Sequence, residues 1–120
     1  TIFINMFINI NDISLKVVTC MTKESTQKGM MGKKFNDFDG MLFFMGPGGH
    51  CFYMKNCIIP LDIIFLNSEL EIVDIFDNCP PCEFEDCERY CSKGDYVLEV
   101  PGGFCFENNV SVGDICNFEF

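Results

Sequence analysis

The stretch Met54-Lys55-Asn56-Cys57-Ile58-Ile59-Pro60-Leu61-Asp62-Ile63-Ile64-Phe65 sets the reading of the whole chain. A polar turn leads into Pro60, whose missing N–H is tolerated at the start of a strand. Leu61–Leu66 is then apolar throughout except for Asp62, which predicts a strand carrying one buried acid. A carboxylate in that setting needs a partner, because burying it unpaired is strongly unfavourable. Lys55, Asn56 or backbone N–H groups beside Pro60 are the candidates. The plainest role for Asp62 is to tie down the turn that precedes its strand.

Working outward, the same pattern of short apolar runs broken by turns recurs. Residues 15–20 have the β-branched content of a strand, and residues 41–45 form an apolar run closed by Gly46-Pro47-Gly48-Gly49. Further strands are predicted at 50–54, at 70–76 after the Asn67-Ser68 turn, and at 96–100, 103–106 and 115–120. One helix interrupts them. Thr22 is placed to cap it, Glu24 and Lys28 suit its dipole, and Gly29 and Gly32 end it near Met31. The expected fold is mainly β within the α+β class: a compact barrel-like or rolled antiparallel sheet with one short N-terminal helix. Residues 1–14 are read as an N-terminal extension and residues 15–120 as a single domain.

Composition narrows the function. The chain of 120 residues, 48% hydrophobic with 14 Phe, can bury a core and is not disordered. Its net charge of −10 opposes nucleic-acid phosphates and anionic membrane surfaces, so neither is an expected partner. No run reaches the roughly 18–20 apolar residues that span a bilayer. The opening residues carry no basic region or small-residue cleavage site, which predicts a cytoplasmic location.

Four of the 9 cysteines, Cys79, Cys82, Cys87 and Cys91, follow a C-x2-C-x4-C-x3-C spacing. Thiolates so close in sequence can wrap one tetrahedral zinc, with Zn–S bonds of about 2.3 Å. Pro80 and Pro81 stiffen the loop, and Glu83, Glu85, Asp86 and Glu88 disfavour a free reactive thiolate there. Structural zinc is the leading expectation. Disulfides, unbound thiols and an iron–sulfur cluster stay open, as does a redox role for Cys79-Pro80-Pro81-Cys82, although no βαβ context surrounds that pair. The lone His50 reads as a solvated or hydrogen-bonded side chain; a dyad with Cys51 is conceivable, but neighbours on a strand point to opposite faces, and no Ser-His-Asp set can be built convincingly from a single His.

Several blocks, in order, resemble the domain-of-unknown-function 192 family. They are Gly29-Met30-Met31-Gly32-Lys33, Asp39-Gly40-Met41-Leu42-Phe43, Met54-Lys55-Asn56, Ile59-Pro60-Leu61-Asp62, and Leu98-Glu99-Val100-Pro101-Gly102-Gly103 with Gly113-Asp114. Cys57 stands where Thr is usual in that family, and Tyr53 where Trp is common. The resemblance implies a barrel-like β domain with one packed helix, and no assigned reaction. The four-cysteine loop lies outside the general pattern and is similar to bacteriophage-encoded members.

No catalytic set is legible, so the expected function is a small non-enzymatic binding or accessory module for a small molecule or protein. Lys55, Asn56, Asp62 and Glu99 are read as its ligand cluster, at the mouth of the sheet. The alternatives are an enzyme acting on a small cationic or carbohydrate-like ligand at the same cluster, and a phage virion component.

Overall fold

The computed structural model describes residues 6–120. In chain order it contains β1 (Met6–Ile10), β2 (Ile13–Cys20), α1 (Lys23–Lys28), β3 (Gly40–Phe44), β4 (Gly49–Tyr53) and β5 (Leu61–Leu66). There follow β6 (Ile72–Cys79), β7 (Arg89–Lys93), β8 (Tyr96–Pro101), α2 (Phe104–Glu107) and β9 (Cys116–Glu119). Seven strands form one sheet in the order β6-β5-β8-β3-β2-β1-β9, and β4 pairs with β7 in a separate ribbon. All pairings within these sheets are antiparallel except β2 with β3. The large sheet curls into a half-barrel whose edges come together at one bridge, Glu71 to Ile115.

The fold class is thus the mainly β, rolled architecture that the spacing of apolar runs predicts. Three local expectations change. Residues 6–10, placed in the N-terminal extension, are β1, a strand paired on both sides by β2 and β9, while residues 1–5 of that extension lie outside the described residues. Residues 103–106, read as a strand, enter the short helix α2, whose N-cap Gly103 has a left-handed φ of 92°. Finally, β7 lies inside the span read as a cysteine loop, since apolar periodicity is weak in Arg89-Tyr90-Cys91-Ser92-Lys93.

Curling gives the sheet two buried faces. The inner cluster gathers Ile8, Ile10, Leu42, Ile64, Leu98 and Val100 with Cys105 of α2. The outer cluster, covered by the β4–β7 ribbon and the Met30 segment, includes Met41, Phe43, Ile63, Phe65 and Val97. Phe52 of the ribbon meets Phe43 and Phe65 edge-to-face, with centroids 5.0 Å and 6.0 Å apart. Because side chains alternate along a strand, the central strands β3, β5 and β8 are apolar in both registers. Leu61–Leu66 is accordingly buried at all six positions.

Asp62 is fully buried on the inner face and accepts three backbone hydrogen bonds. Oδ1 takes the N–H groups of Asn78 at 2.8 Å and Gly103 at 3.0 Å, and Oδ2 takes Cys105 at 2.9 Å. A left-handed φ of 49° at Asn78 accompanies the irregular end of β6 that brings its N–H inward. The acid therefore ties the end of β6 and the start of α2 to β5, rather than the turn before its own strand. Asp62→Ala is expected to lower unfolding free energy by about 3 kcal/mol or more, because three buried donors lose their acceptor. Asp62→Asn, which keeps one acceptor oxygen, is expected to lose less; equal losses in denaturant titrations would refute this assignment.

Candidate functional site: a cavity around a buried glutamate

The sheet separates the four residues read as one polar cluster. Asp62 faces the inner core. Glu99 on β8 is cross-strand neighbour to Met41 of β3 and Ile63 of β5, and so faces the outer cluster. The Lys55 ammonium donates to the carbonyls of Glu83 and Phe84, holding the loop after β6. Asn56, exposed and at a φ of 60°, uses its backbone to bond Cys82 and Gly32. Of the four, only Glu99 is left with a carboxylate free for other work.

That carboxylate is 4% exposed and borders a cavity of about 210 Å³. Met30, Met31, Phe43, Phe52, Tyr53 and Cys57 form much of the wall. Thr26, Gln27 and Lys28 border it from the helix side. Among the described residues no hydrogen bond or ion pair reaches the Glu99 carboxylate. Loss of solvent alone pushes its pKa from 4.5 up to about 8. The thiols of Cys20 and Cys57 are raised to about 11 and about 12, first by burial and further by the Glu99 charge. The group is thus a neutral acid at pH 7 beside neutral thiols, and it acquires charge only as pH rises through about 8.

Four of the blocks that carry the family resemblance meet here. Gly29–Lys33 supplies Met30 and Met31, and Gly40–Phe43 supplies Phe43; Cys57 and Glu99 come from the central and late blocks. Sequence reasoning picked out Glu99 but missed the aromatic and thioether wall. Each of those residues reads as ordinary core in isolation, and only their convergence on an acid distinguishes them. A larger depression of about 560 Å³ along residues 48–51 and 91–95 is open and contains no buried charged side chain.

The four-cysteine loop does not assemble as a zinc site. Cys82 is bonded to Cys87, and Cys91 to Cys51 of β4 directly across the ribbon. Cys79, at the end of β6, is a free buried thiol. Among the described residues no group of three or more His, Cys, Asp or Glu is arranged to hold a metal. Two sulfurs bonded to each other and a third bonded elsewhere do not fit a tetrahedral four-thiolate donor set. Linear spacing concealed the partner of Cys91, which is distant in sequence. His50 is hydrogen-bonded to the Gly46 carbonyl at 2.8 Å across the turn before β4.

The half-barrel and the blocks that line its cavity are those of a known family. The chain matches the domain-of-unknown-function 192 family, described as an uncharacterised ACR, over residues 6–118. It belongs to that family. A solved structure from Sinorhizobium meliloti 1021, provisionally named a transcription regulator, is similar with 26% identity and a TM-score of 0.83. That match covers 95% of this chain and 92% of the other. A protein of unknown function from Novosphingobium aromaticivorans DSM 12444 gives 25% identity and a TM-score of 0.82, over 95% and 84% of the two chains. No curated protein sequence matches.

Two outcomes are expected. Of 9 cysteines, the two disulfides use four, leaving five thiols, all buried. Native protein should therefore react slowly with a thiol reagent and show five thiols once denatured without reductant; nine would mean that the disulfides are absent. Because the folded pKa of Glu99 is raised, its contribution to stability is complete below pH 4.5 and is lost as pH rises towards about 8. Glu99→Gln should remove that slope, making the variant relatively more stable at pH 8 than at pH 5 by up to a few kcal/mol. A pH-independent difference between the two proteins would disprove it.

Proposed function

We propose that this protein is a small-molecule-binding module whose site is the cavity around Glu99. The observation that carries the reading is the buried carboxylate itself, unpartnered and open to a preformed space. Retaining an unpaired acid in an apolar core is unfavourable unless something else compensates it. A few convergent polar groups in an apolar hollow are what ligand sites commonly contain. The expectation of a binding or accessory module is thereby narrowed to one place, with Lys55, Asn56 and Asp62 acting as supports of the fold.

An enzyme at the same site is the second reading, favoured by a carboxyl group whose pKa lies near neutral, as suits proton transfer. Its neighbouring thiols are too weakly acidic to act as its partner, which favours binding over turnover. The regulatory name given to the Sinorhizobium protein fits this chain better as ligand sensing than as DNA contact, given the net charge of −10. The two disulfides favour an oxidising compartment over the cytoplasm.

The test is protein-observed NMR against a panel of small amines, acids and sugars. Binders should shift the methyl signals of Met30 and Met31. Thr26→Trp, at a half-buried position bordering the cavity from α1, should block it and weaken them at least tenfold. Ligands that shift only signals near residues 48–51, or that bind Thr26→Trp unchanged, would sink the proposal.

A further inference from the structure

The wall of the cavity, together with its acid, also selects a chemical class of ligand, an inference that rests on reading the cavity as a binding site. We propose that it accepts a compact tertiary or quaternary methylammonium ion, with the Glu99 carboxylate as counter-charge and Phe43 and Phe52 as its aromatic walls.

Charge is the first argument. Among the described residues no cation is paired with the Glu99 carboxylate, and a neutral or anionic guest would leave its ionised form uncompensated. A cation at that point offsets it directly. The second argument is the shortage of acceptors. A primary ammonium brings three N–H donors, whereas away from the helix side the wall is largely thioether, thiol and aromatic. A methylated ammonium has one N–H or none, which the Glu99 carboxylate alone can accept. The third is the rings. Cations are attracted to aromatic rings, and Phe43 and Phe52 both line the cavity. Tyr53 also borders the cavity, but its ring is taken by the Arg89 guanidinium at 4.5 Å from the centroid, which leaves Phe43 and Phe52 as the rings open to a guest. The volume of about 210 Å³ suits an ion of few heavy atoms, and the net charge of −10 draws cations towards the protein.

Other charged and titratable groups set the conditions. Cys20 of β2, Cys57 before β5 and Cys79 of β6 surround Glu99 electrostatically, and all three stay neutral through pH 9 because burial raises them to about 11 or 12. Lys33 donates to the Gly29 carbonyl at 2.8 Å, and Lys28 borders the cavity from the last turn of α1. The ammonium must therefore seat beside Glu99, away from Lys28. Since the empty site holds its proton up to about pH 8, binding a cation at pH 7 expels that proton to buffer. Affinity then rises with pH and levels off once Glu99 is ionised.

Calorimetry of the intact protein with choline chloride tests this, using 3,3-dimethylbutan-1-ol as the uncharged isostere. Affinity for choline should be roughly tenfold higher at pH 9 than at pH 7, following the ionised fraction of Glu99. At pH 7, buffers of different ionisation enthalpy should report close to one proton released per choline. Glu99→Gln, checked for an unchanged backbone spectrum, should lose choline binding. Choline affinity that is equal at the two pH values, or retained by Glu99→Gln, overturns the proposal. If the alcohol binds and choline does not, the cation class fails while the cavity survives as a binding site. If neither binds, the cation class fails as well, and the wild-type pH series establishes this without relying on any variant.

Discussion

The buried carboxylate of Asp62 is the constraint on which much of this fold depends. Its two oxygens collect three N–H groups from two segments distant from it in sequence: Asn78 at the end of β6, and Gly103 and Cys105 at the start of α2. Helix starts and irregular strand ends leave donors that have no ladder partner, and a buried one needs an acceptor. Supplying it from the start of β5 locks one end of the sheet. It also seats α2 so that Cys105 packs against Ile64, Leu98 and Val100 in the inner core. An acid in an apolar run is therefore a structural tie here.

The second acid does the opposite. Glu99 lies one strand away from Asp62 but points to the other face, because Asp62 is opposite Val100 and Glu99 is opposite Ile63. Alternation along adjacent strands thus sends one carboxylate to a set of backbone donors and the other to a cavity with none. The outer face is covered incompletely, by a two-stranded ribbon and a short glycine-ended helix, and the hollow lies between these covers. A continuous layer would have closed over Glu99 at a cost that only a partner could offset.

The cysteines divide by environment in the same way. Cys20, Cys57, Cys79, Cys105 and Cys116 are buried and behave as small apolar side chains. Cys51 and Cys91, by contrast, are opposed on the ribbon, and Cys82 and Cys87 close a short loop. The ribbon has few strands to support it, and small sheets of this kind gain from a covalent tie. That tie and the Tyr53, Phe52 and Tyr90 contacts hold the cover over the outer core.

How much of this was legible in the chain depends on the range of the interaction. Local patterns determined β2, the start of α1, β3, β4, β5, β8 and β9 nearly as they stand, because apolar alternation, the Thr22 cap and the glycine turns act over a few residues; α1 ends at Lys28, capped by Gly29, rather than near Met31. The family and its rolled β architecture were legible as well, from blocks that each reside in one element. Tertiary structure alone decided that Asp62 and Glu99 part company, that Cys91 joins Cys51, and that Met30, Phe43 and Phe52 meet around one acid. Each depends on which strands become neighbours and which face each residue presents. Spacing along a chain does not encode that, since register and curvature are set by packing of the whole sheet.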